Sequence, residues 1–234
     1  MKAFIHHHLF TQTSLDSGSL TMLGAVIHNF SEPGKYQGRV LRGTQTTASF
    51  RLTVNQDCPA MQVNIDLATL ALPASEHVED GLGCREPGRH FAVNPKGHVV
   101  FYVSQGAGGF TVRVGRVDEG HVATAFDSSE LKEGDLFAVT MVRPGTYSVT
   151  NINTGAKGEI VVTYPRVGKV PYRPPQPVEI ECLNDEFKPD NIRIEPAQGQ
   201  VYRFKTPSRI KIGMVKPDNG PKGASQQRIA EWRK

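Results

Sequence analysis

Apolar and polar residues alternate with a period of two along most of the chain. "ASFRLTV" (48–54) and "MQVNIDL" (61–67) each place every second side chain on one face, as a half-buried strand does. "GHVVFYVS" (97–104) and "GFTVRVGRV" (109–117) repeat the pattern, and "QGAGG" (105–109) between them predicts a hairpin. "DLFAVTM" (135–141), "TYSVTN" (146–151) and "EIVVTY" (159–164) follow. Short runs bounded by Gly, Pro, Asn or Asp at this spacing predict an all-β sandwich.

Three Pro-Gly pairs punctuate these runs: "EPGKYQ" (32–37), "EPGRHF" (86–91) and "RPGTYS" (143–148). Proline presets the first turn position and glycine takes positive φ at the second, so each predicts a type II reversal between strands. Turn chemistry accounts for the shared spelling of the first two without an internal repeat. "ATLALPASEHVEDGLG" (68–83) has room for one helical turn, but Pro73 and its glycines make it a loop excursion.

The pattern changes after Pro165. "PRVGKVPYRPPQP" (165–177) holds five prolines, which remove ladder donors, and reads as an extended connector. "VEIECL", "NIRIEP" and "QVYRFKT" then return to strand periodicity. The expected organisation is a sandwich over 1–165, a Pro-rich connector over 166–178, a β-appendage over 179–213 and a basic tail over 214–234. The appendage is too small to fold alone and must dock on the sandwich or on another chain. In the tail, Ser225 can cap a short helix that puts Ile229 and Trp232 on one face.

Composition refines this picture in three respects. A chain of 234 residues can bury a full core without disulfides or metals. Its net charge of +4 is uneven: eight Lys and Arg face two acids from Lys205 onward, so the preceding residues sum to −2. No apolar run approaches a membrane span, and "MKAFIHHHLFTQTSLDSGSL" lacks the apolar stretch of a signal peptide, which points to the cytoplasm. Cys58, Cys84 and Cys182 are too few for a disulfide framework; Cys58 and Cys84 would pair only in an exported protein.

The stretch from Phe126 to Pro165 resembles the cupredoxin family, the blue-copper β-sandwich. Phe126, Asp127, Ser128, Leu131, Gly134 and Phe137 match that family's approach to its metal loop. Pro144, Gly145, Thr146 and Tyr147 match its corner, and Gly158, Ile160 and Val162 its closing strand. "FKPDNIRIEPAQGQVYRF" is more loosely similar to the family's early strands. The resemblance implies a Greek-key sandwich, and it would imply copper if the ligands were there. They are not. A blue site needs two imidazoles, a thiolate and an axial thioether. The family's Cys position holds Asn151, and Thr154 and Ala156 stand near its second His and Met. His121 is displaced from the first His position. Blue-copper chemistry is therefore excluded, and Asn and Thr can bond the old loop to itself.

Other chemistry is thin. His6, His7 and His8 are adjacent and cannot all face one ion on a short regular segment, so they read as surface. His77, Glu79, Asp80, Cys84 and His90 are ligand types without a standard ligand spacing, and neither cofactor nor metal is expected. If a non-blue copper or zinc site exists, its ligands come from His77, Cys84, His90, His98 or His121. No nucleophile motif or phosphate loop is present, so no catalytic residue is assigned. The basic tail, with Tyr202, Phe204 and Trp232, could attract and stack nucleic acid. Its charges are spread and interrupted by Pro and Gly, which suits a protein partner better.

The expectation is a non-catalytic structural or accessory subunit of a larger assembly, with metal carriage or redox work as the alternative. Phe187, Tyr202, Phe204 and Trp232 would anchor other subunits, rimmed by Arg203, Arg209, Lys211 and Arg228. Removing residues from Arg166 onward should then leave a folded sandwich.

Overall fold

The computed structural model describes residue 9, residues 11–72, the backbone of 85–86, and residues 89–118, 121–164 and 173–219. The protein is all-β and is built from two units of nine strands each. The first unit contains β1 (Ser14–Asp16), β2 (Gly24–His28), β3 (Gly34–Arg42), β4 (Gln45–Val54), β5 (Gln62–Asp66), β6 (Arg85–Glu86), β7 (His90–Val93), β8 (His98–Tyr102) and β9 (Phe110–Asp118). The second contains β10 (His121–Asp127), β11 (Leu136–Thr140), β12 (Gly145–Asn151), β13 (Lys157–Val162), β14 (Val178–Cys182), β15 (Phe187–Lys188), β16 (Asn191–Ile194), β17 (Gly199–Phe204) and β18 (Ile210–Pro217). A five-residue helix, α1 (Leu67–Ala71), follows β5 where a loop was expected. Asp66 caps it by accepting the Ala68 N–H (3.1 Å) and the Thr69 hydroxyl (2.6 Å).

One seven-stranded sheet, in the order β15-β14-β17-β11-β2-β8-β5, runs through both units. The six-stranded sheet β10-β9-β3-β4-β7-β6 belongs to the first unit's side, and the five-stranded sheet β1-β18-β12-β13-β16 to the second's. Aromatic contacts show the layering. Phe50 of β4 lies 6.1 Å from Phe101 of β8, and Phe101 stacks on Phe126 of β10 at 5.4 Å. On the other side, Val149 and Ile160 share a small cleft with Ile180, Phe187 and Tyr202.

The two units repeat each other. Leu15–Tyr36 and Phe126–Tyr147 correspond without a gap, 111 residues apart, with Asp16/Asp127, Ser17/Ser128, Leu20/Leu131, Pro33/Pro144, Gly34/Gly145 and Tyr36/Tyr147 identical. The central pairing follows the same correspondence. Val26 pairs with Phe137, its own equivalent, and Ala25 and Ile27 pair with Ala138 and Leu136. A local two-fold axis therefore passes through the β2–β11 ladder. Both tyrosines close the same corner, Tyr36 donating to Glu32 O and Tyr147 to Arg143 O, each at 2.7 Å.

Each unit also lends its first strand to the other. β1 pairs with β18, and β10 with β9. The joints match atom for atom. Ser17 Oγ accepts the Ile210 N–H (3.0 Å), and Ser128 Oγ accepts the Val112 N–H (2.9 Å). Asp16 and Asp127 each turn the following chain by accepting an N–H two residues on.

Several expectations change. "QGAGG" joins no hairpin, because β8 lies in the seven-stranded sheet and β9 in the six-stranded one. Positive φ at Gly106, Gly108 and Gly109 lets the chain cross between layers there. The Pro-Gly pairs at 33–34 and 144–145 are likewise sheet-to-sheet corners. Their glycines sit at φ 154° and 153°, far from the roughly +80° of a type II turn. At Gly145 a side chain would also strike Lys216 O at 2.6 Å. The internal repeat relates 32–37 to 143–148; the Pro-Gly pair at 87–88 lies outside the described residues. Finally, the segment expected as a separate appendage at 179–213 is interleaved with the sandwich. β14 and β17 extend the seven-stranded sheet, while β16 and β18 flank β13 and β12. Its strand periodicity was legible, but which partners its ladders would find was not.

Candidate functional site

The position where copper would sit in the resembling family is a fully satisfied polar turn. Asn151 is buried at the end of β12, and its amide donates to Ser208 Oγ (2.8 Å). Its carbonyl oxygen accepts the N–H groups of Asn153 (3.1 Å) and Arg209 (3.3 Å). Asn151 N–H reaches Ala156 O, Gly155 N–H returns to Asn151 O, and Ala156 N–H reaches Thr154 Oγ1. The side chains of Asn151 and Thr154 are thus committed to holding the loop closed.

The expected interface residues fall in different places. Phe187, Tyr202 and Phe204 are core residues of this chain, 3%, 1% and 2% exposed, and offer a partner no surface. They point inward because alternate residues of β14, β15 and β17 face the second unit's own sheet. Burial raises the Tyr202 phenol well above its ordinary range, and its hydroxyl has no hydrogen-bond partner. Burial likewise pushes the Cys182 thiol up to about 12. Arg209 holds Asp16 through two 2.9 Å bonds, so it clamps the exchanged strand β1 rather than rimming an interface. That hydrogen bond raises the guanidinium's own pKa further. Lys211 and Arg203 are exposed, the latter paired with Glu179 at 2.9 Å. Arg228 and Trp232 lie outside the described residues.

Metal-ligand candidates do not converge. His77, Cys84 and the run His6–His8 lie outside the described residues, as does the proposed partner of buried Cys58. His90 is on β7 and His121 on β10, with three strands between them, so about 19 Å separates their backbones. His98 opens β8 in the other layer. Among the described residues no three His, Cys, Asp or Glu side chains gather as a metal would need.

The structure assembles a different site. At the end of β2, His28 Nδ1 lies 2.5 Å from an oxygen of Asp135, just ahead of β11 in the other unit. Asp135 is 4% exposed, and its second oxygen accepts the Lys132 N–H (2.8 Å). The ring is clamped by Phe30 (4.3 Å) and Phe126 (4.7 Å). A carboxylate on Nδ1 selects the tautomer that leaves Nε2 as an acceptor. The imidazole is 20% exposed and opens onto a groove walled by Ala123–Ala125 of β10. Glu32, Tyr36, Arg116 and Asp118 complete its lining. Glu32 and Arg116 are ion-paired across it. Burial raises the Tyr36 phenol above its ordinary value, partly offset by Arg116.

Sequence reasoning missed this site because His28 and Asp135 are 107 residues apart. The repeat was the available signal. Aligned on it, His28 stands opposite Val139 and Asp135 opposite Gly24, two polar residues where the other unit has none. Comparison with models of known families, with curated proteins and with solved structures finds no match for this chain. Among the described residues no helix is long and apolar enough to cross a membrane.

Proposed function

We propose that this chain is a non-catalytic structural or accessory component of a larger protein assembly, built on a duplicated cupredoxin-like sandwich that has lost its blue-copper site. The observation that carries the reading is the edge strand β10. It ends the six-stranded sheet, and its residues His121–Ala125 are all exposed, with Val122 at 52%. Edge strands are normally blunted by Lys, Pro or a covering element, because a bare ladder templates pairing with another chain. "HVATA" carries no Lys or Pro, and Val117 directly across the ladder from Val122 is exposed as well. An edge that no described segment covers, bent only by a bulge between Thr124 and Phe126, is suited to a partner strand. The metal reading has less behind it, since His90, His98 and His121 stand on three separate strands, and His77 and Cys84 lie outside the described residues.

Native mass spectrometry of the chain from its source tests this. The expected result is a defined complex heavier than 25.7 kDa, lost in Val122→Lys while the fold is kept. A 25.7 kDa monomer carrying one copper or zinc ion would overturn the proposal.

A further inference from the structure

The groove under β10 has a chemistry of its own. Its floor presents His28 Nε2, an acceptor with no partner among the described residues, held in place by buried Asp135. Around it stand three carboxylates, Glu32, Asp118 and Asp135, against one cation, Arg116. These four side chains sum to −2, and Arg116 is already neutralised by Glu32. Phe30 and Tyr36 are buried beneath it and fix the imidazole's surroundings, their rings 5.2 Å apart. An acceptor beside uncompensated negative charge favours a donor that is cationic.

The other unit serves as an internal control. There Val139 replaces His28 and is buried, Arg143 replaces Glu32, and Met214 occupies the ladder position of Arg116. The scaffold closes without the polar pair, so packing alone does not require it.

We propose that this groove receives an extended, lysine- or arginine-bearing segment of a partner protein. The segment adds to the open edge of β10 and lays one cationic side chain against His28 Nε2. Main-chain pairing gives such a mode its affinity and the groove its specificity. The inference rests on the assembly reading above and names the partner's chemistry.

The test is fluorescence anisotropy with a dye-labelled, end-blocked octapeptide alternating lysine and threonine, and its glutamate counterpart. The lysine peptide should bind at least about tenfold more tightly than the glutamate one, and more weakly as salt rises. His28→Asn keeps a donor for Asp135 but removes the acceptor, and should cost at least about tenfold. His28→Val with Asp135→Ala, which removes both members of the pair, should do the same. Equal binding of the two peptides, no binding of either, or unchanged affinity in both variants overturns the proposal. If removal of residues 220–234 raises affinity for the lysine peptide about tenfold, the occupant is the chain's own basic end, and the partner assignment is wrong. Absence of peptide binding with a persistent native complex sinks the groove alone; a lone monomer that still binds peptide sinks the assembly reading instead.

Discussion

The two units solve the same folding problem with different residues, and each difference separates what the scaffold needs from what was added to it. Both need the Asp-Ser turn that delivers the exchanged strand, the Pro-Gly corner and the tyrosine that locks it. These positions are identical, and so are their hydrogen bonds. Elsewhere the solutions are complementary. Gly38 pairs with Phe50 in the first unit, where any Cβ would meet the phenyl ring at 2.0 Å. The equivalent pair in the second is Val149 with Gly158, and Phe187 fills the space above that glycine. Two polar groups that the other unit lacks contrast with each other: Asn151, opposite Val40, and the His28–Asp135 pair, opposite Val139 and Gly24; buried Gln200, at the ladder position of Val99, is a third. Asn151 turns inward and completes a loop, whereas His28 turns a free acceptor toward solvent.

The largest expected effect tests whether the units are separable. Removing residues 166–234 deletes β14 to β18, which leaves β1 without its partner and strips β11, β12 and β13 of one neighbour each. The truncated chain should lose its cooperative melt and its β signal in far-ultraviolet circular dichroism. A folded 1–165 fragment would show the units to be independent after all. This reverses the outcome expected from sequence, because the sheets cross the 165 boundary.

Next comes the contrast between Asn151 and the His28–Asp135 pair. Asn151→Val, which installs the first unit's residue, should cost about 2–4 kcal/mol, since the N–H groups of Asn153 and Arg209 lose their acceptor. His28→Val with Asp135→Ala should stay within about 1 kcal/mol of the parent, because donor and acceptor leave together and neither is left buried without its partner. Chemical denaturation of the two variants checks the difference, and comparable losses would make the groove pair structural.

A smaller effect probes the exchanged strands. Ser17→Ala and Ser128→Ala should each cost about 1 kcal/mol, similar to one another and additive, because each removes one equivalent buried bond at a separate joint. Unequal costs would mean that one exchange carries more of the fold than the other.

The smallest change should stabilise. Tyr202 takes the ladder position that Phe101 holds in the first unit, and its hydroxyl is buried without a partner. Tyr202→Phe should gain about 1 kcal/mol and raise Tm by about 2–4 °C. A lower Tm would reveal a hidden bond to that hydroxyl.

Much of the fold was legible. Strand periodicity between 48 and 164 and again after 178 identified segments that pair in the sheets, and the corners at Pro33 and Pro144 stand where the spelling put them. That Asn151 and Thr154 could bond their loop to itself was readable too, because their side chains carry the donors and acceptors the turn uses. The aromatic residues of β15 and β17 were misplaced because period two says that one face is buried but not against what. The helix at 67–71 was missed because it is a single capped turn, and its cap, Asp66, belongs to the preceding strand.

Local pattern thus determined which segments are strands and where they break, since each of these depends on neighbours in sequence. Tertiary structure alone decided the shared central sheet, the exchanged first strands, and the meeting of His28 with Asp135. His28 and Asp135 are 107 residues apart and Ser17 and Ile210 are 193 apart, beyond the reach of any local pattern. Six identities across the repeat were too sparse to announce them. They exist because two units, each with an unpaired strand end, bury more backbone polar groups by completing one another than either could alone.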